Sequence, residues 1–207
     1  MFDHQDILFA EKYKKSSSRN PHWDYSSPAI YFVTFCTYRH NYHFGRVVGN
    51  EFILSDIGLI VNEELHKTFK IRKNLKMHDY VIMPNHVHLL FEILYVDEAC
   101  LTHTEKSFNL VETPRWGVSK DTKSNIHKPQ IASTKWKPNS VSSIINQIKS
   151  ISTKRINKIP RLFGWQSRYY DEIIKDEKHY WAVKNYIKNN VRNWSKDEYN
   201  RDVKIGV

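Results

Sequence analysis

The alternation of apolar and polar positions sorts the 207 residues into a short series of elements. Residues 29–37, AIYFVTFCT, are rich in β-branched and aromatic side chains and predict a strand. From residue 55 to 71 the period lengthens: Ile57, Ile60, Val61, Leu65 and Phe69 share one helical face. Ser55 stands as N-cap and Asp56 in the first turn, so a helix is predicted, with Gly58 an unfavourable residue inside it. Residues 77–83 and 86–93 are two strand-like runs separated by Pro84-Asn85, which suits an adjacent antiparallel pair or a strand that bends. A second helix is expected over about 139–158, with Val141, Ile144, Ile145, Ile148 and Ile151 as its apolar stripe and Lys149, Lys154 and Lys158 largely away from it. Pro160 ends it. A short strand at about 168–174 leads to a last helix over about 176–190, whose Asp-Glu start suits the positive end of the helix dipole.

The order strand, helix, strand, strand, helix, strand, then a further helix, is the split βαβ pattern of an α+β, ferredoxin-like sandwich built on an antiparallel sheet. Residues 1–27 are polar and interrupted and read as an arm; 28–194 form one domain; 195–207 read as a tail. Residues 95–139 show no sustained period and carry Pro114, Pro129 and Pro138, so they are expected to be a long inserted loop. A 40% hydrophobic content is enough for one real core. No stretch approaches the roughly 20 apolar residues of a membrane span, and the first residues lack the order of a signal peptide, so the expected location is the cytoplasm. Cys36 and Cys100 form no C-x-x-C and predict neither a disulfide framework nor a cysteine zinc site.

Charge adds a location. The net charge is +10, and between Thr122 and Tyr170 there is no acidic residue but ten basic ones. The other 22 basic residues are matched by all 22 acidic ones, so the whole excess lies in this segment. It includes Lys149, Lys154, Arg155, Lys158 and Arg168, a concentration expected of a polyanion-binding surface, the alternative being a solvated basic face. Trp136, Phe163, Trp165, Tyr169 and Tyr170 are interleaved with it and can either stack on bases or belong to the core, Phe163 and Trp165 above all to the core.

His86-Val87-His88 falls in a predicted strand, where both imidazoles point to one face while Val87, Leu89 and Phe91 point to the other. Such a pair can ligate one divalent ion, or be two ordinary sheet histidines. On the last helix Tyr186 and Asn190 are i and i+4 and share a face; Tyr186 stands at the edge of the apolar stripe Tyr180, Val183, Ile187, Val191. A tyrosine there is either a core-rim residue or a nucleophile.

Four segments carry a resemblance: YFVTFCTYRHNYHFG at 31–45, YVIMPNHVHLLFEI at 80–93, NSVSSIINQIKSISTKRIN at 139–157 and WQSRYYDEIIKDEKHYWAVKNYIKNN at 165–190. In order and spacing they resemble the HUH single-tyrosine transposases, and within them the REP-associated tyrosine transposases. The resemblance implies that His86 and His88 are the paired metal ligands, Tyr186 the nucleophile and Asn190 the polar residue completing the metal site. The family's core is likewise ferredoxin-like. Oxygen-rich phosphate chemistry points to Mg or Mn as the ion, and the aromatics interleaved with the basic segment point to single-stranded or hairpin DNA as the partner of a monomer or homodimer. Val191 stands where relatives commonly have proline, so the last helix can run past Asn190, and the 95–139 insertion is longer than in compact members. Two other readings compete: a ferredoxin-like module that binds nucleic acid without cutting it, and a metal-dependent hydrolase of small phosphoesters.

Overall fold

A computed structural model of the chain describes residues 19–20, 22–95 and 137–200. Strand β1 (Ala29–Cys36) is followed by a hairpin of β2 (Gly45–Val48) and β3 (Glu51–Leu54), helix α1 (Asp56–Ile71), β4 (Leu75–Ile82), β5 (His86–Ile93), α2 (Val141–Ile156), β6 (Tyr170–Ile173) and α3 (Glu177–Asn189). The main sheet has the order β4-β5-β1-β6, with every pair antiparallel. The expected sandwich is therefore the one formed: β1 and β4, joined through α1, are split by β5.

Both faces of this sheet are covered, which is why β1 is apolar at nearly every position and β5 is buried at all but one. Tyr31, Val33, Phe35, Val87, Leu89 and Phe91 bury against Ile57, Val61 and Leu65 of α1 and Ile144, Ile145 and Ile148 of α2. The alternate residues Phe32 and Leu90 face Val183 and Ile187 of α3. α3 thus adds a third layer, and the side chains between it and β5 occupy the second sheet face.

The β2–β3 hairpin, not anticipated from the sequence, turns through Gly49 in the left-handed region (φ 62°). Its packing explains Gly58. A Cβ at that position would lie 2.0 Å from the Phe44 carbonyl oxygen, so only glycine lets the first turn of α1 sit against the segment entering the hairpin. Ser55 caps that helix as expected, its hydroxyl accepting from Gly58 N–H at 3.1 Å.

The described ends of the chain pack on the domain. The end of the expected arm is pinned: Arg19 donates to Asp171 at 2.8 Å, Trp23 Nε1 to the Tyr31 hydroxyl at 3.1 Å, and Val141 N–H to the Tyr25 carbonyl at 2.9 Å. The expected tail likewise packs through Asn200, as shown below. Residues 96–136 of the insertion lie outside the described residues.

Candidate active site

β5 delivers both histidines to the face covered by α3. His86 pairs with Cys36 and His88 with Thr34 in the β1–β5 register, and both rings are almost wholly buried. Two imidazoles inside a sandwich need polar partners, and a chain of hydrogen bonds assigns the roles of their nitrogens. Asn85 Nδ2 donates to the carbonyls of His40 at 3.1 Å and Tyr199 at 2.8 Å, so Asn85 Oδ1 is an acceptor. His86 Nδ1 lies 2.8 Å from that oxygen and must carry the proton. His86 Nε2 is then the bare nitrogen, the tautomer that metal ligation requires. His88 Nδ1 is held at 2.7 Å by the Thr34 hydroxyl, which turns His88 Nε2 the same way.

The two Nε2 atoms end 3.0 Å apart. Ligands about 2.1 Å from one ion and at right angles to each other are about 3.0 Å apart, so the pair has the spacing of two adjacent positions around one cation. Burial drives the His86 imidazole well below its usual pKa, helped by His88 and His40, and lowers His88 to about 3. Both rings are therefore neutral at physiological pH, the form that metal ligation would require.

α3 starts at Asp176, whose carboxylate accepts from His179 N–H at 2.7 Å, and docks through Val183 and Ile187. That docking rolls Tyr186 to the rim, 45% exposed, with its ring edge-on to Phe32 and to His88. The Tyr186 hydroxyl lies within hydrogen-bonding distance of His88 Nε2, at 3.1 Å. Burial raises the phenol pKa, Asp197 adds to the rise, and the Asn190 amide works against it. Lys184, two residues before Tyr186, turns to the Tyr180 and Trp181 rings, 5.7 and 5.5 Å away.

The helix does not run on past Asn190 despite Val191. It stops at Asn189 with Asn190 as C-cap, and Asn193 N–H folds back onto the Asn189 and Asn190 carbonyls. Asn190 is buried and its Oδ1 has no hydrogen-bond partner in the protein. A buried, unpaired amide oxygen is a donor the chain leaves unsatisfied, and together with the His86 and His88 imidazoles it makes a set whose chemistry fits a cation.

The sequence reading missed Asp197. The short 3-10 turn Trp194–Lys196 carries the chain back over the histidines, and Asp197 Oδ2 comes within 3.9 Å of His86 Nε2. Ligand atoms of His86, His88 and Asp197 all lie within 4.8 Å of one another. Tyr199 N–H donates to the carboxylate at 2.7 Å, and the Tyr199 ring lies 4.6 Å from that of His86. Asn200 accepts from Tyr42 at 2.9 Å and donates to the Trp194 carbonyl at 2.9 Å, which locks the turn. Burial raises the Asp197 carboxyl pKa. Tyr186, Asn190, Lys196 and Asp197 together line a cleft of about 510 Å³.

The basic segment is less uniform than its sequence implies. Lys149 is a correction: it is buried, its ammonium donating to the Gln166 carbonyl at 2.8 Å, and burial lowers its pKa to about 8. Arg155 is engaged by Glu63 at 2.6 Å and Glu64 at 2.7 Å, where it ties α2 to α1. Lys154, Lys158 and Arg168 are exposed, and Lys123, Lys128 and Lys135 lie outside the described residues. Phe163 and Trp165 pack with Phe44 at the edge of the core, as expected. Tyr170 is exposed, and Trp136 lies outside the described residues.

Comparison with known proteins agrees with the architecture. A solved structure of a REP-associated tyrosine transposase, bound to a REP hairpin, superposes with a TM-score of 0.50 over 84% of this chain and 72% of that one, at 14% identity. The chain shares its fold with that transposase. It is also 27% identical over 186 residues to an uncharacterized protein of Haemophilus influenzae, a match covering 89% of this chain and 92% of the relative. No protein-family model matches the chain. Among the described residues no helix is long and apolar enough to cross a membrane.

Proposed function

We propose that the protein is a metal-dependent transposase of the HUH single-tyrosine kind, which cleaves and rejoins single-stranded DNA through Tyr186. The observation that carries this reading is the approach of the Tyr186 hydroxyl, at the rim of a cleft, to within 3.1 Å of His88 Nε2 in the His86–His88 pair. His86 and His88 would hold a divalent ion through Nε2, with the Asn190 amide oxygen and the Asp197 carboxylate completing the set. Mg or Mn bound there supplies Lewis-acid polarisation of the scissile phosphate.

The remaining chemistry belongs to the chain. The exposed rim position of Tyr186 lets a phosphodiester approach its oxygen, while the edge-on contacts with Phe32 and His88 fix the direction of the ring. The Tyr186 oxygen attacks phosphorus, an O–P bond forms as the bond to the 3′-oxygen breaks, and the proton lost by the phenol is balanced by the one gained at that 3′-oxygen. The products are a 5′-phosphotyrosine and a free 3′-hydroxyl. Exchange of one ester for another conserves its energy, so a second 3′-hydroxyl can reverse the step and join new strands without a nucleotide cofactor.

Support for DNA as the substrate comes from the fold shared with a hairpin-bound transposase and from exposed Lys154, Lys158 and Arg168 on the basic segment. The test is to incubate parent and Tyr186→Phe proteins with end-labelled single-stranded oligonucleotides and Mn2+. The parent should give a denaturation-resistant protein–DNA band and strand-joined products, and the variant neither. Cleavage that persists in Tyr186→Phe would instead identify a hydrolase using activated water.

A further inference from the structure

A second cleft opens beyond the C-terminal end of β1, between α2 and residues 165–167. Its volume is about 580 Å³, in the size range of small-molecule sites. Asn146, Lys149, Lys154, Asn157, Trp165 and Gln166 line it with three hydroxyl side chains, and none of the nine lining residues is a carboxylate.

Lys149 is the informative residue. It is 7% exposed, and its ammonium donates to the Gln166 carbonyl at 2.8 Å and the Arg168 carbonyl at 3.5 Å, with the Tyr169 ring 5.7 Å away. No ion pair among the described residues includes it. A buried cation whose hydrogen bonds go to neutral carbonyls has no counter-charge, an expensive arrangement unless an anion completes it. The open side of Lys149 is the cleft, and Lys154, five residues on, brings a second, exposed cation to the same wall.

The cleft is also connected to the metal and tyrosine centre. Gln166 Nε2 meets His40 Nε2 at 2.7 Å, the His40 ring stacks on Tyr199 at 5.3 Å, and Tyr199 lies against His86. The Gln166 N–H donates to the carbonyl of Cys36, the residue paired with His86 in the sheet. The two clefts are thus joined through side chains gathered at the end of β1.

We propose that the second cleft is a phosphate-binding subsite that holds, between Lys149 and Lys154, a backbone phosphate of the single strand flanking the scissile bond. This rests on the reading of the protein as a single-strand transposase. Phosphate oxygens supply the counter-charge that Lys149 lacks, and the Asn146 and Asn157 amides stand at the mouth to fix orientation.

The experiment measures anisotropy of a fluorescein-labelled, mixed-sequence single-stranded oligonucleotide across a salt series, with adduct formation by the parent followed in parallel. Lys154→Glu and Asn157→Asp alter the cleft at exposed positions, while Lys158→Glu changes the same charge on the same segment outside it. Lys154→Glu should weaken binding about tenfold or more and reduce the slope of log affinity against log salt by about one. Asn157→Asp should weaken it several-fold, and Lys158→Glu less than Lys154→Glu. Unchanged affinity in both cleft variants, or an equal loss in Lys158→Glu, overturns the subsite. A parent that forms the adduct while the cleft variants bind normally refutes the subsite alone. Cleft-dependent binding by a parent that forms no adduct keeps the subsite and refutes the transposase reading.

Discussion

Asn85→Ala isolates the hydrogen bond that prepares His86 for a cation. Asn85 is fully buried and its side chain makes three hydrogen bonds: two donated to the His40 and Tyr199 carbonyls and one accepted from His86 Nδ1. Truncation leaves the His86 N–H without its acceptor and two carbonyls without their donor. At about 1–3 kcal/mol for each buried group left unsatisfied, softened at carbonyls that keep other contacts, the protein should lose about 2–4 kcal/mol of stability. Freed from Asn85, the His86 ring can rotate or change tautomer, and loss of such a support weakens metal affinity about 10–100-fold, or about 1.4–2.7 kcal/mol. Asn85→Asp separates the two effects. Its carboxylate still accepts from His86 Nδ1 but cannot donate to either carbonyl, so stability should fall while Mn2+ affinity stays near that of the parent. Calorimetric titration with Mn2+, below the melting temperature of each variant, reads the difference. If folded Asn85→Ala binds Mn2+ within twofold of the parent, the reasoning that His86 Nε2 is a ligand oriented by Asn85 is refuted.

Replacing His86 or His88 with Ala should abolish cleavage and Mn2+ binding while leaving most affinity for single strands, since that comes from phosphate contacts; full cleavage by the double variant would remove the metal site. Asp197→Asn keeps the shape of the turn but removes its charge, so Mn2+ affinity should drop about tenfold or more with little change in unfolding temperature; unaltered affinity would place Asp197 outside the coordination set. The metal-free protein should lose stability in acid. Both histidines have folded pKa values below their unfolded value, so the unfolded chain binds more protons once pH falls below about 6.5, and their stabilisation is full above that pH. The loss should reach about 1.4 kcal/mol per pH unit for each histidine, continuing towards pH 3 for His88. Urea midpoints that stay equal between about pH 7 and pH 5, after the same titration of His86→Gln/His88→Gln protein is subtracted, would contradict it.

The parts of the fold that alternate or repeat cleanly were legible. His86 and His88 sit two apart in a strand whose intervening residues are apolar, so their common face followed from the pleat, and the structure places that face under α3. Helical spacing put Tyr186 and Asn190 on one face, but their roles came only from the resemblance. Lys149 was misread although a signal was present: it comes one turn after Ile145 and four residues before Thr153, on the flank of the buried stripe, where a long side chain can only turn inward to nearby carbonyls. The β2–β3 hairpin was also signalled, by Gly49-Asn50 between two short apolar runs. Asp197 had no such signal. In SKDEYN a carboxylate among charged neighbours looks like solvated surface, and only the 3-10 turn, with Tyr199 seated on His86, brings it to the site.

The central claim is that the Tyr186 oxygen becomes bonded to phosphorus. The direct measurement is mass spectrometry of the parent protein after incubation with a single-stranded oligonucleotide and Mn2+, followed by nuclease trimming and proteolysis. The account predicts a nucleotide-phosphate mass on the peptide containing Tyr186, with fragmentation placing it on that side chain and no adduct from Tyr186→Phe protein. An adduct on Tyr180, Tyr199 or any other residue, or cut DNA with unmodified Tyr186 and an adduct-free protein, would contradict it.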